Sequence, residues 1–181
     1  VTDPFTAHPI WFLQKNQNFI VFSEMLREKC INHGIDKNRL RVFPFVLDRK
    51  FSQKTSDSKK LIIRRKFGFK PDSKVILIMG GGDGMPHGKK ILKRIITRNM
   101  DAEIVIVCGK NKKLFNYVSQ FKDKYSIANL KIYGFVDFVH SLINISDVVI
   151  TKCGSSTFME FLLLGKIQVI NNYIWEQEKG N

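Results

Sequence analysis

The chain has 181 residues, of which 44% are hydrophobic and 25% are charged. This composition is typical of a globular protein and argues against general disorder. The 30 lysines and arginines outnumber the 16 acidic residues and give a formal net charge of +14, which favours anionic partners. The longest apolar runs fall well short of the ~20 residues that span a bilayer, so a membrane role would be peripheral.

The cysteine and histidine spacing predicts neither a disulfide framework nor a metal site. The three cysteines lie far apart in the sequence, which favours free thiols in a reducing, cytoplasmic compartment. The four histidines show no metal-ligand spacing, so we expect no bound metal. We recognise no signal peptide, and we expect the chain to be a piece of a longer protein.

The first third of the chain contains two short strand-like segments. Residues 19–22 predict a strand, Ser23 is the expected cap of the helix that follows, and Gly34 ends that helix. Residues 40–45 predict a second strand. The polar stretch 49–60 predicts a linker or a long loop.

The rest of the chain repeats a pattern of strand, turn and helix. The predicted strands cover residues 74–79, 102–109, 130–135, 147–154 and 167–170. This alternation predicts an α/β domain with a Rossmann-like, doubly wound parallel sheet and helices on both faces. Ligands of such sheets bind beyond the carboxyl ends of the strands, so the turns at those ends are the candidate site.

A glycine-rich turn follows the strand 74–79. It contains Gly81, Gly82, Asp83 and Gly84, where backbone N–H groups can approach a phosphate without a Cβ atom in the way. The spacing fits neither the dinucleotide-binding fingerprint nor a P-loop. The alternative is a tight strand-to-helix turn without a ligand.

A run of small residues follows the strand 147–154. Gly154 is followed by Ser155, Ser156 and Thr157, whose side chains can cap a helix and offer donors to an oxyanion. Glu160 comes about one helical turn later, where its carboxylate can accept from a ribose diol. The alternative is a capping box between one of these hydroxyls and Glu160.

Other turns carry further candidates. Lys110 can meet a phosphate charge, and Phe135 can pack on a base. Gln177, Glu178 and Asn181 offer amide and carboxylate groups that suit sugar hydroxyls. Lys110 and Phe135 are equally compatible with an ordinary turn or core role. For the last three residues, an ordinary polar surface loop is the favoured alternative.

The basic helix face formed by Lys90, Arg94 and Arg98 is of a kind that is most often simply solvated. The sequence carries no signature of a nucleic-acid-binding module, so we expect no nucleic-acid partner. An anionic membrane surface is the partner that fits this charge better.

In order and spacing, these motifs resemble the C-terminal domain of one glycosyltransferase family. That family includes monogalactosyldiacylglycerol synthase, diacylglycerol glucosyltransferases and the enzyme that adds N-acetylglucosamine to the peptidoglycan lipid intermediate. The motifs that carry the resemblance are TD-x4-HP-x-W, FIVFSEMLREKCINHGI, GGGDG, VCGKN, YGFV, DVVITKCGSSTFMEFLLLGK and QEKGN.

The resemblance implies one half of a GT-B fold, in which two Rossmann-like domains face one another. Residues 1–18 would be a remnant of the N-terminal acceptor domain. Residues 19–181 would form the nucleotide-sugar-binding domain, truncated at its C-terminus. The sequence departs from the family where Cys153 replaces a proline or alanine, where Ser155 replaces a frequent glycine, and where 167–170 lacks the usual proline.

The resemblance also implies the roles of the candidate residues. The glycine turn and residues 154–157 would hold the diphosphate of a UDP-sugar, while Phe135 would lie against uracil and Glu160 would bind ribose. The terminal side chains would address the sugar; they are Gln177, Glu178 and Asn181.

The implied reaction is inverting transfer of a hexose from a UDP-sugar to a lipid acceptor such as diacylglycerol. It would need no metal and no cofactor, and the enzyme would associate peripherally with an anionic membrane. Asp3 and His8 are the acceptor-side catalytic candidates, with loop packing as their alternative role. We expect this piece alone to bind donor and to be inactive. The alternatives are a non-catalytic UDP-sugar-binding subunit that needs a separate acceptor-domain chain, and a UDP-sugar 2-epimerase.

Overall fold

The computed structural model describes residues 3–51 and 54–173, which form two parallel sheets. The α-helices and strands, in chain order, are β1 Phe19–Val21, α1 Glu24–Asn32, β2 Leu40–Val42, α2 Asp57–Lys66, β3 Lys74–Met79, α3 Gly88–Thr97, β4 Ala102–Val107, α4 Lys112–Lys124, β5 Leu130–Tyr133, α5 Val139–Ile145, β6 Val148–Lys152, α6 Ser155–Leu163 and β7 Ile167–Asn172. Short 3-10 helices cover Pro9–Phe12, Lys37–Arg39 and Arg49–Phe51.

The larger sheet has five parallel strands in the order β5-β4-β3-β6-β7. The central strand β3 is buried from Val75 to Met79, because helices cover both of its faces. All five strands point the same way, so their carboxyl ends meet at one edge. The predicted fold class, a Rossmann-like parallel sheet with helices on both faces, is confirmed.

Alternate residues of the strands pack against different helices. Ile76 and Ile78 of β3 contact the cluster that includes α3 and α4. Val75 and Leu77 belong to the cluster on the other face, which α2, α5 and α6 complete. Each large apolar side chain buried in this way contributes about 1.5–3 kcal/mol to folding.

The smaller sheet pairs β1 with β2 in parallel, and α1 connects them. The helix begins as predicted, because the Ser23 hydroxyl accepts a hydrogen bond from the Leu26 N–H at 3.1 Å. Gly34 follows its end with a φ of +83°. Buried side chains on both sides of residue 18, among them Phe12 and Phe19, share one core here. The domain boundary at residue 18 stays a prediction.

The prediction of a linker or long loop at 49–60 is wrong for much of that stretch. Phe51 is buried in the main core, and α2 begins at Asp57. Ser56 caps this helix by accepting from the Lys59 N–H, and Lys60 pairs with Asp57 at 2.8 Å. The charged composition concealed a helix whose apolar contacts to the core come only near its end.

Among the residues that the structure describes, no helix is long and apolar enough to cross a membrane.

Candidate functional site

The glycine-rich turn after β3 folds tightly back on itself. The Gly84 N–H donates to the Gly81 carbonyl at 3.1 Å. A Cβ atom at Gly80 would lie 2.5 Å from the Gly84 carbonyl oxygen, which is closer than any side chain tolerates. The turn therefore needs glycine simply to close.

The turn after β4 packs directly against the glycine-rich turn. The Lys110 N–H donates to the Gly82 carbonyl at 2.7 Å, and Asn111 Nδ2 donates to the Asp83 carbonyl at 3.4 Å. Gly109 has a φ of +56°, and a Cβ atom there would lie 2.2 Å from the Gly82 carbonyl oxygen. Gly84 is buried in this contact, so it packs between the two turns and does not face the cavity side.

Gly81 and Gly82 face open space instead. No atom outside their immediate chain neighbours lies within 4 Å of a Cβ atom built on either residue. Within the described part of the chain, their N–H groups donate to no protein acceptor. Two neighbouring backbone donors without a protein acceptor can bind an anion.

A cavity of about 430 Å³ opens in front of these two glycines. Phe135 from the turn after β5 and Glu160 from α6 also line it. The structure thus brings together four of the predicted residues, which come from the ends of three strands. The volume is within the range of small-molecule sites.

Phe135 separates this cavity from a second one of about 440 Å³. The ring is 67% exposed, and Lys110 Nζ lies 5.5 Å from its centroid. Lys110 lines the second cavity together with Lys112, Phe115 and Asn116. The Phe135 ring is thus exposed enough to pack against an aromatic ligand, and Lys110 lies over one of its faces.

Glu160 is the titratable group that stands out in the first cavity. Burial raises the pKa of its carboxyl to about 7, while Lys50 opposes the shift and Asp48 adds to it. Near neutral pH the side chain therefore changes easily between an acceptor-only carboxylate and a neutral acid. A carboxylate in this place can accept hydrogen bonds from a pair of ligand hydroxyls.

The start of α6 differs from the expectation. Gly154 is the N-cap, and no side chain caps the helix, so Ser155, Ser156 and Thr157 occupy its first turn instead of capping it. The alternative of a capping box with Glu160 is not found either. These four residues do not line the 430 Å³ cavity, although they lie about one turn before Glu160 on the helix that carries it. The uncapped N–H groups leave a partial positive charge at this helix end.

Asp3 and His8 lie on the segment that precedes β1. His8 Nδ1 accepts a hydrogen bond from the Ile10 N–H at 3.2 Å and caps the Pro9–Phe12 helix. Asp3 is buried, and neither side chain lines the 430 Å³ cavity. Between them, the Phe5 ring contacts the Phe158 ring of α6 at 6.4 Å. The remaining candidates fall outside the described residues; they are Gln177, Glu178 and Asn181.

Three polar residues of the cavity were missed by sequence reasoning; they are Lys50, Asp137 and His140. Lys50 pairs with Asp48 at 3.0 Å and lines the cavity from the stretch interpreted as a linker. His140 lies on α5, where its Nδ1 atom is buried and has no hydrogen-bond partner among residues 3–51 and 54–173. The signal that would have found His140 is its position, five residues after the predicted site residue Phe135.

The described residues contain no group of three or more side chains able to hold a metal ion.

Comparisons with known proteins identify the family. The glycosyltransferase family 28 C-terminal domain matches residues 75–175. The probable monogalactosyldiacylglycerol synthase of Glycine max is 28% identical over 188 residues, which cover 100% of this chain and 34% of that protein. The processive diacylglycerol beta-glucosyltransferase of Bacillus licheniformis is 26% identical over 181 residues, which cover 100% of this chain and 46% of that protein.

Among solved structures, HepE of Anabaena in complex with UDP-glucose is similar, with a TM-score of 0.56 and 18% identity. The likeness covers 91% of this chain and 52% of that one, and it supports the fold assignment. This chain spans between a third and a half of the length of the curated relatives compared here.

The matched stretch, 75–175, begins in β3 and continues past β7, so it contains all the strand ends around the 430 Å³ cavity. It is also more than half of the chain. This protein therefore belongs to glycosyltransferase family 28, and its five-stranded sheet is the C-terminal domain of that family.

Proposed function

We propose that this chain binds the UDP-sugar donor for transfer of a hexose to a lipid acceptor of the diacylglycerol type. The observation that carries the proposal is the convergence of open glycines, an exposed aromatic ring and a carboxyl group on one 430 Å³ cavity. A nucleoside diphosphate presents the matching set of groups, which are phosphates, a planar base and a vicinal diol.

Each part of the donor has a partner of suitable chemistry. The N–H groups of Gly81 and Gly82 would bind the diphosphate, Phe135 would lie against uracil, and Glu160 would accept from the ribose hydroxyls. The first turn of α6 would add its uncapped N–H groups to the diphosphate site. The sugar would be addressed by the side chains of Gln177, Glu178 and Asn181.

The proposed reaction is an inverting displacement that needs no metal ion and no cofactor besides the donor. The acceptor hydroxyl oxygen forms a bond to the anomeric carbon while the bond from that carbon to the UDP oxygen breaks. The acceptor proton passes to a general base, for which Asp3 and His8 are the candidates on this chain. Fixed backbone dipoles at Gly81 and Gly82 and at the start of α6 stabilise the charge on the departing UDP.

The lipid acceptor is proposed from the relatives. Their names describe galactosyl and glucosyl transfer that yields or uses diacylglycerol lipids. Such an acceptor lies in a bilayer, and a net charge of +14 suits an anionic surface. Peripheral membrane association, from the cytoplasmic side, is therefore part of the proposal.

The test is a calorimetric titration of the chain with UDP, UDP-glucose, UDP-galactose, UDP-N-acetylglucosamine and NAD. We expect UDP and at least one UDP-sugar to bind, and NAD not to bind. Binding of NAD without UDP would refute the proposal. Glu160→Ala should weaken UDP more than inorganic diphosphate, because the latter has no ribose; an equal loss for both would remove the ribose role.

Transfer itself is tested with the full-length gene product, labelled UDP-sugars and membrane lipids. A labelled glycolipid is the expected product. Free sugar epimers formed without an acceptor would indicate an epimerase instead. Activity that appears only when a second chain is added would indicate a donor-binding subunit.

A further inference from the structure

The two helices on one face of the larger sheet have an unusual charge distribution. α3 and α4 together carry eight lysines and arginines and a single acidic residue, Asp123. We call their outer surface the α3–α4 face; its cations are Lys89, Lys90, Lys93, Arg94, Lys112, Lys113, Lys122 and Lys124. A solvated helix normally mixes the two signs, so such an excess indicates an anionic partner.

No carboxylate of the described residues pairs with these eight cations. Within the described residues, none of them lies within 4.0 Å of a carboxylate oxygen. The basic helix on the opposite face, α2, differs in part. There two of the five cations are paired, because Lys60 pairs with Asp57 and Arg64 lies 3.6 Å from Asp147. The α3–α4 face therefore keeps its full charge for an external partner.

An aromatic row runs along α4 beneath the cations. The rings of Tyr117 and Phe121 stack at 6.1 Å between centroids, and Phe121 contacts Tyr125 at 4.8 Å. Lys89 Nζ lies 4.3 Å from the Tyr117 centroid, and Lys93 Nζ lies about equally far from both rings of the stacked pair. Ammonium groups thus lie over rings of this row, and the rings also contact one another.

That arrangement distinguishes a lipid surface from a nucleic acid. Nucleic-acid binding through aromatics needs free ring faces on which bases stack. Here ammonium groups lie over all three rings of the row, including Tyr125 at its end, which is 57% exposed. Lysines with a tyrosine at their margin are suited to phosphate headgroups and to the interfacial layer of a bilayer.

The face also continues into the donor site. Lys112 and Phe115, in the first turns of α4, line the 440 Å³ cavity that shares Phe135 with the donor cavity. We propose that the α3–α4 face docks this domain on anionic lipid headgroups, so that the site adjoins the bilayer. This inference rests on the membrane association proposed above and assigns it to one surface.

The experiment is cosedimentation with phosphatidylcholine vesicles, with and without phosphatidylglycerol. The test variant removes three cations of the face, Lys89→Gln, Lys93→Gln and Lys124→Gln. The matched control removes three exposed cations of α2, Lys59→Gln, Arg65→Gln and Lys66→Gln. Both triple variants change the net charge equally, and melting curves would verify that both are folded.

We expect the wild type to bind only the anionic vesicles. The face variant should bind them on the order of 100-fold more weakly, because each cation near the surface contributes about 1 kcal/mol. The α2 variant should lose no more than a few-fold. Tyr125→Ser, which leaves the charge unchanged, should cause a smaller loss than the face variant.

An equal loss in both triple variants would overturn the assignment, since binding would then follow net charge alone. A larger loss in the α2 variant would overturn it as well. Binding of single-stranded RNA but not of vesicles, abolished in the face variant, would replace the lipid by a nucleic acid. UDP titration of the same variants distinguishes the lipid-docking proposal from the donor-binding proposal. UDP affinity should be unchanged in all of them.

Discussion

The two ends of the five-stranded sheet both hold a cavity with charged residues, and they use the charges in opposite ways. At the amino end, Arg64 lines a cavity of about 370 Å³. Its guanidinium donates to the carbonyls of Ser73 and Ile145 at 2.6 and 3.0 Å and lies 3.6 Å from Asp147. Lys166 Nζ donates to two further backbone carbonyls at 2.8 Å. The protein itself satisfies these cations.

At the carboxyl end, several polar groups around the 430 Å³ cavity have no hydrogen-bond partner in the part of the chain that the structure describes. They include the N–H groups of Gly81 and Gly82, the buried Nδ1 atom of His140 and the carboxyl group of Glu160. Buried polar groups normally find partners, and exceptions need an explanation. A cavity lined by charged residues therefore does not by itself indicate a ligand site. Polar groups around a cavity that lack a hydrogen-bond partner are the better indication.

The largest expected effect comes from filling the contact between the two turns. Gly109→Ala should destabilise folding by about 3–4 kcal/mol, because the new Cβ atom would meet the Gly82 carbonyl and the φ is +56°. Urea unfolding measures the change. Gly82→Ala is the matched control, since its Cβ would face open space.

The control should cost folding less than about 1 kcal/mol and should weaken UDP binding by about tenfold or more. If Gly82→Ala unfolded the protein while Gly109→Ala did not, the division between packing glycines and ligand-facing glycines would be wrong.

The second prediction concerns the amino end. Arg64→Ala should destabilise folding by about 2–3 kcal/mol, because the carbonyls of Ser73 and Ile145 lose their guanidinium donor and the ion pair with Asp147 is removed. Urea unfolding and UDP calorimetry are measured on the same sample. We expect UDP affinity to stay unchanged. A loss of UDP binding in the folded variant would contradict the separation of the two ends.

The sequence was sufficient to predict the sheet and the turns of the site. The buried run of β3, the glycines after it and the small residues before Glu160 follow from local chemistry, so their placement needed no tertiary information. The roles of individual glycines were not predictable in this way. Gly84 and Gly82 are equivalent in sequence, and only the packing of the next turn shows that one is buried and the other open.

The residues that were missed depend on contacts distant in sequence. Lys50 reaches the cavity because Phe51 beside it is buried in the main core, and a polar stretch gives no hint of that. His140 is an ordinary helix residue in sequence and becomes notable only through the unpartnered Nδ1 atom. The uncapped start of α6 was likewise unexpected, since three hydroxyl residues follow Gly154.

The third prediction concerns the pH dependence of donor binding at the carboxyl end of the sheet. Because burial raises the pKa of Glu160 to about 7, the carboxylate that accepts from ribose becomes populated between pH 6 and 8. UDP-glucose affinity should rise by up to about tenfold over that interval. Calorimetry at several pH values measures it. UDP-glucose is used because its diphosphate is esterified on both sides and does not titrate near neutrality.

Glu160→Gln should remove this pH dependence and bind like the low-pH wild type. Asp83→Asn, a change of the same kind in the exposed glycine turn, should preserve it. A pH profile unaltered by Glu160→Gln would show that another group controls donor binding.

The smallest expected effect is at the amino end. Burial and the neighbouring Lys60 lower the pKa of Lys166 to about 8, although Asp147 opposes the shift. An unfolded lysine keeps its proton to a pH of about 10, so between these values the unfolded chain binds more protons than the folded one. Stability should therefore rise with pH in this window, by about 1 kcal/mol given the partial exposure of the side chain.

Lys166→Met should lose that rise, which urea unfolding at several pH values would show as a difference from the wild type. Other groups that titrate in the same window contribute equally to both chains and cancel in the difference. If stability changed with pH in the same way in both chains, the Lys166 ammonium would be as stable in the folded protein as in water. The two carbonyl bonds would then offset its burial completely, and the amino end would be even better satisfied than the comparison with the carboxyl end requires.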